Sequence, residues 1–325
     1  MSDYFRPIPC DHGRWRLAGG WVRFSQLELL ARGQPPRVVD SAPPEVLEAL
    51  TAPRPAVLDL SLDRPRIMGI VNATPDSFSD GGRYDGATHA RALVGQGAAI
   101  LDVGGESTRP GAAEVPVPDE TARILPVIGA ARGLAPISVD TRKAAVAQAA
   151  IAAGAGMVND VSGLDFDPGM AGVVARAGVA LCLMHAQGIP ETMQDNPTYG
   201  DVLLDVYDAL AERIARAEAA GIPRDRIVID PGIGFGKTQA HNLAILRRIS
   251  VYHGLGCAVL LGVSRKGFIG AIGGAPRAAD RAAGTLAVTL AAVAQGVQVH
   301  RVHDVGAVVQ GLRLWQAVNN EKAEQ

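Results

Sequence analysis

Polar side chains close the apolar runs of this sequence, and their types are those that hold a ligand. Asn72 follows IMGIV, Asp102 ends AAILD, Asp140 ends ISVD, and Asn159 and Asp160 follow MV. His185 follows VALCLM, Asp230 follows IVI, Ser264-Arg265-Lys266 follows AVLLGV, and Arg301 and His303 lie in VQVHRVH. A single strand-end acid is ordinarily a cap or a turn residue. Eight polar endings in register are another matter, because parallel α/β proteins gather their functional groups outside the carboxyl ends of their strands. Only four of the 31 basic residues are lysine: Lys143, Lys237, Lys266 and Lys322. Three of these fall at or just beyond such ends, where a compact ammonium fits beside a ligand and donates in several directions. The run after Asn72 carries Pro75, Asp76, Ser77, Phe78, Asp80, Gly81 and Gly82. An aromatic between two acids in a glycine-rich loop is expected to form a lid that closes over a ligand.

Positioning these groups takes eight strands: Ile67–Val71, Ala98–Val103, Ile137–Val139, Met157–Val161, Val179–Met184, Ile227–Ile229, Ala258–Val263 and Val297–Val302. Amphipathic segments separate them. In Asp201 to Ala220, for example, Val202, Val206, Leu210 and Ile214 recur at helical spacing before Gly221 and Pro223 end the run. Repeated βα units imply a parallel sheet. Arg301 and His303 face the same way on the last strand, and they share a ligand with Asn72 only if that strand lies beside the first. The expected fold is therefore α/β, a single (β/α)8 TIM barrel over residues 61–320 with an N-terminal extension over residues 1–60. The extension has proline-rich patches around two helical candidates, Ser25–Arg32 and Pro44–Ala49. Its last stretch, Ala56–Leu60, is expected to be a short strand that pairs locally and plugs one end of the barrel.

Composition excludes several classes. The 325 residues are 48% hydrophobic and 20% charged with a net charge of −2, so no broad field favours nucleic acid or an anionic membrane. Any bound anion must be held locally. Cys10, Cys182 and Cys257 form an odd set without C-x-x-C spacing, which fits a reducing compartment. The opening MSDYFRPIPCDHGRWR lacks the apolar core of a signal peptide, and no segment has ~18 unbroken apolar residues. The expected location is the cytoplasm. Gly232 to Thr238, GIGFGKT, has Pro231 where a Walker loop needs glycine, and the serines lack a nucleophile elbow. No histidine has zinc spacing; the one metal these residues admit is a hard cation held by oxygen from Asn72 and from the ligand itself.

Taken in order, eight blocks resemble the dihydropteroate synthases of the pterin-binding barrel family. They are IMGIVNATPDSFSDGG from Ile67, LDVGGESTRPGA from Leu101, SVDT from Ser138, VNDVSG from Val158, LMHAQGIPETMQ from Leu183, DPGIGFGK from Asp230, GVSRKGFIG from Gly262 and RVHDV from Arg301. The resemblance runs from Arg66 to about Ala317. It implies the joining of 6-hydroxymethyl-7,8-dihydropterin diphosphate to 4-aminobenzoate, with loss of diphosphate. It also implies a pterin pocket of Asp102, Asp140, Asn159, Met184, Gly234, Phe235, Asp230 and Lys266. Diphosphate, with Mg²⁺ at Asn72, is expected on Asn72, Thr108, Arg109, Arg301 and His303. The benzoate is expected against Phe78 and Pro110, with its carboxylate near Arg265, Lys266 and Gly267. The groups expected to carry the chemistry are Asp102, Asp140, Asp230, Lys266, Arg301 and His303. Sulfonamides are implied as competitors, and a homodimer through the small-residue helix Ala282 to Ala294. One departure is Gly267, where many family members have serine after S-R-K. Two other readings share the pocket: a methyltetrahydrofolate-binding methyltransferase, which has no use for a diphosphate clamp, and a non-catalytic pterin-binding protein, which could lose the lids.

Overall fold

Eight runs buried on both faces become strands of one closed parallel sheet, as unbroken apolar segments dictate. The computed structural model describes residues 3–73, 86–107, 112–188 and 193–319. Chain order begins with strands β1 (Tyr4–Cys10), β2 (Trp15–Arg16), β3 (Arg23–Leu30) and β4 (Arg37–Val39) and helix α1 (Pro44–Thr51). The barrel strands are β5 (Arg66–Asn72), β6 (Ile100–Gly104), β7 (Ile137–Asp140), β8 (Met157–Asp160), β9 (Ala180–Met184), β10 (Ile227–Asp230), β11 (Ala258–Leu261) and β12 (Val299–Val302). Between and after them run α2 (Gly86–Gly95), α3 (Val117–Ala131), α4 (Ala144–Ala153), α5 (Met170–Ala177), α6 (Val202–Ala219), α7 (Gln239–Arg247), α8 (Gly267–Gly273), α9 (Ala282–Val293) and α10 (Val305–Asn319). β12 pairs with β5, closing the barrel and making the first and last strands neighbours. The fold is a TIM barrel with all eight strands within two residues of the expected bounds.

Period-two geometry explains why the polar ends meet. Ile100, Met157, Val228 and Val299 point into the barrel and pack together as its lower layer. Two residues on, on the same face, stand Asp102, Asn159, Asp230 and Arg301. The apolar layer is sealed from below by Val57 and Leu62, 4% and 3% exposed. The expected Ala56–Leu60 strand is a tight reversal with a single bridge, Val57 to Leu60, because Leu58 and Asp59 turn left-handed at φ 54° and 60°. It plugs the end nonetheless.

The extension is a small sheet with its own core of Leu17, Val22, Phe24, Leu27 and Leu50. Helix α1 forms where Pro44–Ala49 is expected, but Ser25–Arg32 is not a helix: it lies in β3, antiparallel to β1. The three-residue spacing of Phe24, Leu27 and Leu30 mimics a helical face for two reasons. A bulge opposite Ile8 and Pro9 inserts Ser25 and brings Phe24 and Leu27 into one core, while Leu30 packs into the other. Arg54 ties the extension to the barrel, donating from Nη2 to the His253 carbonyl (2.8 Å) and from Nε to that of Cys257 (3.1 Å). Trp21 Nε1 donates to the Val293 carbonyl (2.9 Å), and Tyr4 Oη to Asp208 (2.8 Å).

Candidate active site

The centre of the mouth is a buried ion triad. Arg301, from β12, donates through Nε to Asp102 Oδ2 (2.5 Å) and through Nη2 to Asp140 Oδ2 (2.6 Å). Asn159 Nδ2 donates to the same Asp102 oxygen (3.1 Å). Each acid thus spends one oxygen on the triad. The other, Asp102 Oδ1 and Asp140 Oδ1, is buried without a hydrogen-bond partner, as is Ser138 Oγ beside them on β7. Orphaned buried acceptors are costly, and a ligand with N–H donors relieves them. Burial pushes Asp140 up to about 7, against the pull of Arg301. Burial also works against the charge of Arg301, but Asp102 and Asp140 outweigh it and hold the guanidinium above its ordinary value.

Asp230 and Lys266 form the opposite wall. Asp230 Oδ1 accepts from the Gly232 N–H (2.7 Å), and burial raises its carboxyl above the usual range. Lys266 is lowered to about 8, chiefly by burial, with Asp230 opposing. Its Nζ stands 4.0 Å from the centroid of the Phe235 ring, a cation–π contact. Gly234 lies against the Lys266 side chain: a Cβ there would come 3.2 Å from Lys266 Cδ, on a backbone at φ 82° that disfavours any other residue. Met184, buried at the end of β9, pairs in register with Asp230.

The remaining expected residues separate. His303 Nδ1 lies 3.0 Å from Ser264 Oγ, which links the ends of β11 and β12 at the rim. Asn72 ends β5, half-buried, opposite Gly104. Arg265 sends its guanidinium to Asp304 (2.9 and 2.5 Å), and its backbone is left-handed at φ 58°. Gly267 opens α8, and a Cβ there would meet nothing within 4 Å. Phe78, Thr108, Arg109 and Pro110 lie outside the described residues. Among the described residues no three His, Cys, Asp or Glu side chains gather as a metal site. Asn72 carries an amide oxygen, a donor type that suits a hard cation.

Two lysines singled out in the sequence serve as internal ties. Lys143 Nζ is held by Glu106, by Glu120 Oε2 (2.7 Å) and by the Val115 carbonyl (2.8 Å). Lys237 Nζ lies against His185 and two carbonyls of the loop after β10. Glu106, Glu120 and Asp304 take part in the contacts above and are not marked by any strand-end or spacing signal. Their partners lie on other elements, so only the fold reveals them.

The family described as pterin binding enzyme matches residues 68–303. The dihydropteroate synthase of Escherichia coli K12 is 44% identical over 269 residues, covering 81% of this chain and 95% of that protein. Among solved structures, the Xanthomonas albilineans dihydropteroate synthase with 4-aminobenzoic acid superposes with a TM-score of 0.75 at 48% identity, covering 80% of this chain and 94% of the other. The Yersinia pestis enzyme in a sulfonamide drug complex gives a TM-score of 0.76 at 42% identity, covering 80% and 96%.

Proposed function

Because the chain belongs to the pterin-binding enzymes, and among them to the dihydropteroate synthases, we propose that the mouth around Arg301 is where its two substrates meet. The reaction is the condensation of 6-hydroxymethyl-7,8-dihydropterin diphosphate with 4-aminobenzoate to give 7,8-dihydropteroate and diphosphate. The methyltransferase and non-catalytic readings are set aside by relatives that share the whole barrel and bear the synthase name.

The observation that carries the assignment of the pocket is the pair of unpartnered oxygens, Asp102 Oδ1 and Asp140 Oδ1, at the top of a closed barrel. A pterin presents an amino group and ring N–H along one edge, which suits those acceptors and Asp230. Asn159 and Lys266 donate to its carbonyl and ring nitrogen, and Phe235 and Met184 flank the ring. As the carbon–oxygen bond to diphosphate lengthens, positive charge grows on the exocyclic methylene. Carboxylates already fixed in a buried site stabilise that charge without reorganising.

The leaving diphosphate needs cations. Arg301 uses Nε and Nη2 on the acids and keeps Nη1 for the anion, and His303 stands two residues on along the same strand end. Asn72, Thr108 and Arg109 complete the proposed anion site. Mg²⁺ would travel with the diphosphate and neutralise part of its charge, with Asn72 as its protein ligand. The aniline nitrogen of 4-aminobenzoate attacks the methylene as the carbon–oxygen bond to diphosphate breaks and then gives up its extra proton to solvent, so the enzyme's task is alignment and not prior deprotonation. Phe78 and Pro110 would pack on the benzoate ring, with Arg265, Lys266 and Gly267 near its carboxylate; sulfonamides would compete there.

A second copy would cover Ile272, Leu314 and Val318, exposed apolar residues on α8 and α10 that flank α9. Light scattering that gave a monomer at micromolar concentration would reject the dimer. No described helix is long and apolar enough to cross a membrane. All three cysteines are free, which supports placing the enzyme in the cytoplasm.

The reaction is tested by measuring diphosphate with each substrate omitted in turn. Release should require pterin diphosphate, 4-aminobenzoate and Mg²⁺ together. Release that is indifferent to the amine would reject the alignment mechanism.

A further inference from the structure

Lys237 is only 3% exposed, and among the described residues no carboxylate lies within ion-pair distance of it. Burying an ammonium this way is expensive unless its protons are all taken. Here its three protons are shared among four acceptors, the carbonyls of Gly232 (2.9 Å), Phe235 (3.1 Å) and His185 (3.2 Å) and His185 Nδ1 (2.9 Å), and burial still lowers Lys237 to about 7. Burial, with Lys237 alongside, lowers His185 to about 2, so the imidazole is neutral and can accept.

The loop so held is intrinsically loose. Gly232, Gly234 and Gly236 all turn left-handed, at φ 66°, 82° and 59°, and a segment of such glycines has much freedom to lose. It lies backbone against backbone on the chain leaving β9, since a Cβ at Gly232 would come 1.9 Å from the His185 carbonyl oxygen. Two more side chains hold it from above: Gln194 Nε2 donates to the Gly234 carbonyl and Tyr199 Oη to that of Gly236, both at 2.7 Å. Four of its carbonyls therefore have side-chain donors, and what they fix in place is the Phe235 ring under Lys266.

We propose that Lys237 is a positioning residue for pterin recognition, holding the Gly232–Phe235 backbone so that Phe235 and Lys266 are set before the substrate arrives. The role rests on the pterin pocket proposed above. The contacts of Lys237 are all with the loop that carries Phe235 and with His185, so its loss should act on the pterin and spare 4-aminobenzoate, which separates it from a general folding role.

The test compares wild type, Lys237→Met and Tyr199→Phe by calorimetric titration with 6-hydroxymethylpterin, by KM for each substrate and by thermal melting. Lys237→Met should lose about tenfold or more in hydroxymethylpterin affinity and in KM for the pterin ester, while KM for 4-aminobenzoate at saturating ester changes less than about threefold. Tyr199→Phe, which keeps the ring and loses one bond, should show the same pattern at about threefold, and it carries the test alone if Lys237→Met does not fold. Wild-type hydroxymethylpterin affinity in both variants would overturn the inference, as would an equal loss for both substrates. Wild-type protein that fails to bind hydroxymethylpterin would instead overturn the pocket assignment itself.

Discussion

At the scale of single residues, two titrations frame the chemistry. In the proposed pocket Asp140 accepts a pterin N–H most strongly when ionised, and burial has moved it to about 7; Lys266 donates most strongly when protonated, and burial has moved it to about 8. kcat/KM for the pterin ester should therefore rise as pH climbs through about 7 and fall above about 8, and Asp140→Asn should flatten the acid limb. The same shift sets a stability slope. Between the unfolded carboxyl value of roughly 4 and the folded value of about 7, the folded chain holds the extra proton, so stability falls as pH rises through that window and levels off above it. Asp140→Asn removes this slope, and its melting temperature should gain on that of the wild type between about pH 5 and about pH 8. At Gly267 a Cβ is unobstructed, so Gly267→Ser should enter without strain and lower KM for 4-aminobenzoate by roughly threefold. The identities of Asp102, Asp140, Asp230, Lys266, Arg301 and His303 were legible because each ends an apolar run. Their pairing was not: Arg301 meets Asp102 across 199 positions of sequence, a contact that only barrel closure creates.

At the scale of elements, the same limit recurs. Barrel strands were readable because burial on both faces leaves a continuous apolar signature. β3 was misread because a bulge and two-sided packing gave it helical spacing. Lys143 stood out by composition alone, while the reason for it lies on α3 and the chain between β6 and α3. Glu106 and Glu120 are 8% and 1% exposed at the side chain, and removing Lys143 leaves Glu106 with Arg142 but Glu120 buried with only the Thr141 hydroxyl. Lys143→Met should cost about 3–5 kcal/mol in denaturant unfolding.

At the scale of the whole molecule, the extension and the barrel are joined both by ion pairs, Arg32 with Asp205 and Asp208 and Arg248 with Glu28, and by buried backbone acceptors. Arg54 serves Ala49, His253 and Cys257 carbonyls at once. Arg54→Ala would strand these groups at about 1–3 kcal/mol each if they stay dry, so the melting temperature should fall by several degrees while KM for both substrates is retained. A matching loss of substrate affinity would mean that the extension reaches the mouth. In the proposed reaction one barrel end divides into acids for the pterin and cations for its departing anion, and Arg301 lies on the dividing line. Its direct test is the affinity of Arg301→Ala for hydroxymethylpterin and for the diphosphate ester. Because Asp102 and Asp140 lose a partner, some loss is expected for both; the ester should lose at least about tenfold more, or ~1.4 kcal/mol. Equal losses would contradict the division.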